Sequence, residues 1–137
     1  MASNKHYIHR ILTTASSLMG ILTLSSGIYG LLNPQAFSTT LGIPIPNPPP
    51  PSLALPFVSF AAARNIGSGI STLVLLATGQ TKAVGTVMMC GVVVCLTDAW
   101  VCVQFGESAV EGKAVGHAFM GGVAGVVGGG LYWVSSI

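Results

Sequence analysis

From Pro56 to Thr78 the chain is a long apolar run that carries a single charge, Arg64, with Asn65 beside it. As a helix rising about 1.5 Å per residue, the run reaches about 34 Å, enough to cross the roughly 30 Å hydrocarbon core of a bilayer. A guanidinium at that depth costs about 2.5 kcal/mol or more, so it faces a partner or a wet cavity rather than lipid. Only one acidic residue lies inside any apolar run, and it is Asp98. Arg64 and Asp98 are therefore expected to pair.

Three further apolar runs cover about 11–32, 83–105 and 114–134, giving four with 56–78. Breaks separate them: Pro34, then a proline-rich stretch at 43–52, then Gly79-Gln-Thr-Lys82, then Gly106 to Lys113. In lipid every backbone group needs an internal partner, so the runs are read as helices. Composition agrees: 51% of residues are hydrophobic, only 6% are charged and mean hydropathy is +0.76. Soluble domains carry about 25% charged residues. The expected fold is all-α, an integral membrane four-helix bundle formed by one domain, 1–137. Its first loop, 33–55, is interfacial and proline-rich.

Within that loop, Pro34 near a helix start and Gly42 just past its end predict a short interfacial helix, with Phe37 and Leu41 on one face. The prolines after it suit an extended strut, or alternatively a ligand for a partner domain. The residues before Ile11 resemble the basic start of a signal peptide, but the apolar run behind them is too long, so it is expected to be retained. Lys5, Arg10 and Lys82 on one side of the alternating spans predict both termini in the cytoplasm. A net charge of +2, thinly spread, gives no basis for nucleic-acid binding. Cys90, Cys95 and Cys102 share one run and read as small hydrophobes of a helix, not as a disulfide or a metal site. No cofactor signature is present; Gly67-Ser-Gly69 lacks the third glycine and the strand of a nucleotide loop.

Up-and-down topology brings polar groups from four helices to one depth. Arg64 lies about 12 Å in from Pro56, Asp98 about 10 Å from Phe105, and His117 about one turn into the last run. Tyr29 nears the end of the first run at similar depth. Asp98, Cys95 and Cys102 share a face, as do Arg64 and Phe60. Each has a plainer reading. Arg64 and Asp98 could be a structural pin, His117 a helix-end side chain on a backbone carbonyl, and Tyr29 and Trp100 belt aromatics. Asn65 could be a bridge between helices, and Glu107 and Glu111 solvated loop charges. Gly121, Gly125 and Gly129 form a small-residue stripe for close packing inside the bundle, or alternatively for homodimerisation.

Four short motifs carry a resemblance over nearly the whole chain. They are Asn33-Pro34 through Gly42-Ile-Pro44, Ala62-Ala-Arg64-Asn65-Ile-Gly67, Asp98-Ala, and Gly116-His117-Ala. With these the sequence resembles the family of small four-helix membrane proteins called domain of unknown function 4267, common in fungi. Some relatives look like membrane enzymes of polyketide and terpenoid pathways that open epoxides by hydrolysis or cyclisation. A lipophilic small-molecule substrate entering from the bilayer would explain why so small a catalyst sits in a membrane, and the expected membrane is the endoplasmic reticulum or another internal one. Opening an epoxide needs a base and an acid, and here Asp98 is the expected base, Arg64 its positioner and His117 the acid. Tyr29 or Glu111 is a reserve acid, and Asn65, Phe60 and Trp100 are substrate contacts. The alternatives are a non-catalytic helper that holds a biosynthetic partner, and a small dimeric transporter, against which the permanent arginine partner of Asp98 argues.

Overall fold

A computed structural model of the protein describes residues 2–45, 54–106 and 112–136. Among them are five helices: α1 Ala2–Leu32, α2 Pro34–Leu41, α3 Ala54–Ala77, α4 Thr81–Phe105 and α5 Gly112–Val134. No strand occurs among the described residues. The four long helices are apolar and long enough to cross a membrane.

The first helix starts nine residues earlier than the apolar run does. Ser3 to Arg10 contain no proline or glycine to stop a helix, and hydropathy marks where the apolar part begins rather than where winding begins. With 31 residues, α1 is about 46 Å long, well beyond the hydrocarbon core. It ends at Leu32 because Pro34 restricts the residue before it, and Asn33 takes φ −137°, ψ 63°. Proline then opens α2, where its missing N–H is no loss. Gly42 closes α2 at φ +97°. Its N–H donates to the Thr39 carbonyl at 3.1 Å, and that of Ile43 to Ser38 at 3.0 Å, the paired bonds that end a helix on a left-handed residue.

The short helix packs inward. Phe37, 1% exposed, lies where a Cβ on Gly30 would stand, 2.6 Å from that position, with Ala62 of α3 close by. Phe37 is therefore buried against α1 and α3, and α2 covers one end of the molecule instead of presenting its aromatic ring to lipid. Residues 46–53, which include most of the expected proline strut, lie outside the described residues.

Two seams hold the long helices. Along α1 and α3, a Cβ on Gly27 would lie 2.6 Å from the Ala62 carbonyl oxygen, and one on Gly69 2.6 Å from the Leu24 nitrogen. Along α4 and α5, a Cβ on Gly85 would lie 2.6 Å from the Gly128 oxygen. Such approaches need a residue without a side chain. The expected stripe on α5 is partly corrected. Gly121 and Gly125 do face Cys95 and Val92, but the next glycine in the seam is Gly128, against Met88. Gly129 has no neighbour within 4 Å of its Cβ position. At 100° per residue Gly128 returns to within 20° of Gly121, while Gly129 is rotated about 80° away.

The pairs α1/α3 and α4/α5 meet more sparsely, through α1 with α5 and α3 with α4. Val84, Met88 and Leu131 form a small core with Leu12, Met19, Leu75, Leu76 and Val127 around it. Buried Ser16 donates to the Leu12 carbonyl and lies 3.2 Å from the Met88 sulfur. Thr81 bonds Ser135 at 2.9 Å, and His9 approaches Thr81 at 3.5 Å. The start of α1, the α3–α4 turn and the end of α5 therefore share one end of the molecule, and α2 occupies the other.

Candidate functional site

Arg64 and Asp98 meet. Arg64 Nη2 donates to Asp98 Oδ2 at 2.8 Å and Nη1 to Oδ1 at 3.2 Å. This is a fork-to-fork pair, which fixes orientation as well as distance. It bridges the sparse boundary between α3 and α4. The side chains are 39% and 25% exposed, so the pair is open on one flank and not sealed in packing. Each carboxylate oxygen keeps a second lone pair for another donor. Gly67, one turn along α3 from Arg64, has nothing within 4 Å of its Cβ position, which leaves room beside the guanidinium.

Helix registers set the depth of the other polar groups. Gly27 faces Ala62 and Ile66, and Gly30 faces Ala62, so Tyr29 is level with Arg64. Gly121 faces Cys95 on antiparallel α4, so His117, one turn earlier on α5, is level with Ala99 and Asp98. Arg64, Asp98, His117 and Tyr29 occupy one layer.

His117 takes the plainer of its expected readings, a side chain on a backbone carbonyl, and the carbonyl is that of Leu41. Its Nε2 lies 3.1 Å from the Leu41 carbonyl oxygen. Since a carbonyl only accepts, Nε2 carries hydrogen and Nδ1 is left for other chemistry. Cys102 Sγ donates to the same oxygen at 3.0 Å. One main-chain acceptor at the end of α2 thus ties α2 to both α4 and α5. Gly42 follows at the point of closest approach, where a Cβ would lie 2.8 Å from Lys113 Cβ and 2.9 Å from Cys102 Sγ. Cys102 is one turn from Asp98, so the latch adjoins the ion pair. The spacing of Cys102 from Asp98 signalled a shared face; nothing in side-chain chemistry signalled the Leu41 carbonyl.

The remaining expected residues divide. Phe60 lies one turn from Arg64 on α3, tilted against Phe57 with ring centroids 6.1 Å apart, and exposed. Asn65 is half-buried and makes no side-chain hydrogen bond among the described residues. Tyr29 is not brought to the pair. It is 45% exposed and points about 160° away from the Gly20–Gly27 line that faces α3. Trp100 is not brought there either. Two residues past Asp98 on a helix it points to the opposite side, where it is 58% exposed and stands edge-on to Phe105 at 6.4 Å. Glu107 and Glu111 lie outside the described residues.

Two depressions are formed elsewhere. One of about 600 Å³ borders α2, lined among others by Asn33, Gln35, Thr39 and Leu55. The other, about 650 Å³, is at the opposite end. Neither of these two includes Arg64 or Asp98, which are reached instead from the open flank between α3 and α4. Among the described residues no three His, Cys, Asp or Glu side chains are grouped to hold a metal, and the three cysteines are free.

No curated protein and no solved structure matches the chain. The family described as Domain of unknown function (DUF4267) matches over residues 20–131. That match takes in α2, the Arg64–Asp98 pair and the His117 latch, and the chain belongs to this family.

Proposed function

We propose that the protein is a small multi-pass membrane enzyme that performs acid–base chemistry on a lipophilic intermediate, most concretely the opening of an epoxide by water or by an internal hydroxyl. The observation that carries this reading is the forked Arg64–Asp98 pair, which bridges two apolar helices and stays open on one side. A structural pin gains nothing from that opening. A site that must admit both water and a greasy substrate requires it.

In this reading Asp98 accepts a proton from water or from the substrate hydroxyl through a lone pair that Arg64 does not use. The deprotonated oxygen attacks an epoxide carbon, the carbon–oxygen bond breaks, and the departing oxygen takes a proton. His117 supplies that proton from Nδ1 as the imidazolium, with Nε2–H kept on the Leu41 carbonyl. The proton held by Asp98 then returns to His117 through solvent, so hydrolysis consumes one water and yields a diol. Arg64 keeps the carboxylate aimed, and its free edge meets developing negative charge. Asn65 orients the water, and Phe60 lines the way in from the bilayer. Acid–base assistance contributes about 10² to 10⁴ per group, with positioning supplying the remainder.

The packed helices form a four-helix membrane bundle whose termini and Lys82 face the cytoplasm. The resident membrane is the endoplasmic reticulum or another internal one, and the pathway one that builds polyketides or terpenoids. The test is incubation of membranes containing the protein with an epoxidised polyene in ¹⁸O-labelled water. Hydrolysis gives a diol with one labelled oxygen, cyclisation an unlabelled ether. Asp98→Asn is expected to lower either product at least 10²-fold at equal membrane content; full turnover by that variant would sink the proposal.

A second reading has its own support. Because α3 and α4 touch sparsely, the ion pair is also the main polar tie between them, as a helper that only holds a biosynthetic partner would require. Reversing the charges with Arg64→Asp and Asp98→Arg preserves a pin and removes a catalyst, so partner recovery with loss of turnover separates the two.

A further inference from the structure

The depression of about 650 Å³ at the end opposite α2 is lined by Gln80, Thr81, Lys82, Thr86, Tyr132 and Ser135, among others. Its polar groups are gathered from two helices by the Thr81–Ser135 hydrogen bond. Lys82 Nζ stands 4.9 Å above the Tyr132 ring and makes no ion pair among the described residues. Lys5 and Arg10 lie toward the same end of the molecule, on α1. Among the described residues the one acidic side chain, Asp98, does not answer them. Asp98 is bound to Arg64, and Glu107 and Glu111 follow the far end of α4 in sequence. Among the described residues this end is therefore cationic without a side-chain counter-charge.

We propose that this depression binds the phosphate headgroup of an anionic phospholipid, with an acyl chain lying along the outer flank of the α4–α5 seam. The proposal requires only that the helices span a membrane and is independent of the epoxide chemistry.

Depth favours it. Lys82 is the second residue of α4, and Tyr132 lies two residues from the end of α5. Both stand where apolar helix gives way to the headgroup layer, and basic pockets between spans at that level attract anionic headgroups. Surface shape favours a lipid over a free anion. On α4 the face that begins with Lys82 continues through Thr86, Met89 and Val93 at helical spacing, and all four are exposed. On α5 the corresponding flank has Gly129 and Gly122, whose Cβ positions meet nothing within 4 Å. A chain leaving a headgroup at Lys82 thus finds an apolar track with a low edge. A soluble phosphate would use the ammonium and leave the track empty.

The experiment uses the full chain, with Trp100→Phe so that Trp133 is the sole tryptophan, in phosphatidylcholine vesicles. Phosphatidic acid with brominated chains is added, and its quenching of Trp133 is compared with that by brominated phosphatidylcholine. The expected result is selective quenching by the anionic lipid. Lys82→Gln should weaken that selectivity about fivefold, while Lys82→Arg keeps it and Lys113→Gln, at the other end, leaves it unchanged. Lys82 is exposed, so these substitutions leave the helices packed. Equal quenching by both lipids would overturn the proposal, as would equal losses in Lys82→Gln and Lys113→Gln. Displacement of the lipid by millimolar inorganic phosphate would overturn it too, since the site would then read phosphate alone.

Discussion

The α4–α5 seam and the α3–α4 boundary join the same helix to two neighbours by opposite means. In the seam the backbones come so close that only glycine fits, as at Gly85 against Gly128. Its attraction is the sum of many small dispersion contacts. At the boundary the backbones stay apart and two long side chains bridge the gap by a forked ion pair, open on one flank. Close packing fixes a helix but leaves no room for a third party. A pair of charges across a gap fixes less and admits water or ligand. The molecule keeps its tight packing in α1/α3 and α4/α5 and places its chemically able groups where those pairs meet.

The largest expected effect would break this division if it failed. The reversal Arg64→Asp with Asp98→Arg should remove epoxide opening by at least 10²-fold, while thermal unfolding in detergent stays close to the parent because the attraction survives. Undiminished epoxide opening by the reversed pair would mean that the boundary is only structural after all. Next comes Gly85→Leu, which drives a side chain into the Gly128 backbone. A loss of about 1–3 kcal/mol or more is expected, read as a lower melting temperature or as failure to fold. Replacing Cys102 by Ala and His117 by Phe together strips the Leu41 carbonyl of both donors. Each bond is worth about 1 kcal/mol, and amide exchange at Gly42 and Ile43 should quicken as α2 loosens. The smallest effect has the opposite sign. Gly67→Ala, on the open side of α3, should leave stability unchanged or raise it by up to about 1 kcal/mol through helix propensity. A clash there would show that the gap is filled.

Much of this was legible in the residues for a physical reason. Apolar length fixes which segments can span a bilayer, and a lone charge within one must find its opposite, so Arg64 pointed to Asp98 across thirty-four positions. Three features were not legible. The start of α1 at Ala2 was missed because hydropathy reports solvent, not winding. The seam glycine is Gly128 and not Gly129, a difference of one residue that a repeat of four does not resolve from 3.6. The hold on His117 and Cys102 comes from the Leu41 carbonyl, and every residue has a carbonyl, so no sequence pattern marks that one. Tyr29 and Trp100 share the right level with the ion pair, yet level says nothing about azimuth, and both turn elsewhere.

An ion pair left ajar toward hydrocarbon also constrains the membrane around it. Neither charge can be bare in oil, so lipid beside α3 and α4 has to yield, by dimpling or by letting a file of water descend. Such deformation is easier in a thin, loosely ordered bilayer than in a thick, sterol-stiffened one. The exposed flank of Arg64 and Asp98 therefore makes the fit of the protein to its bilayer depend on how thin and how fluid that bilayer is.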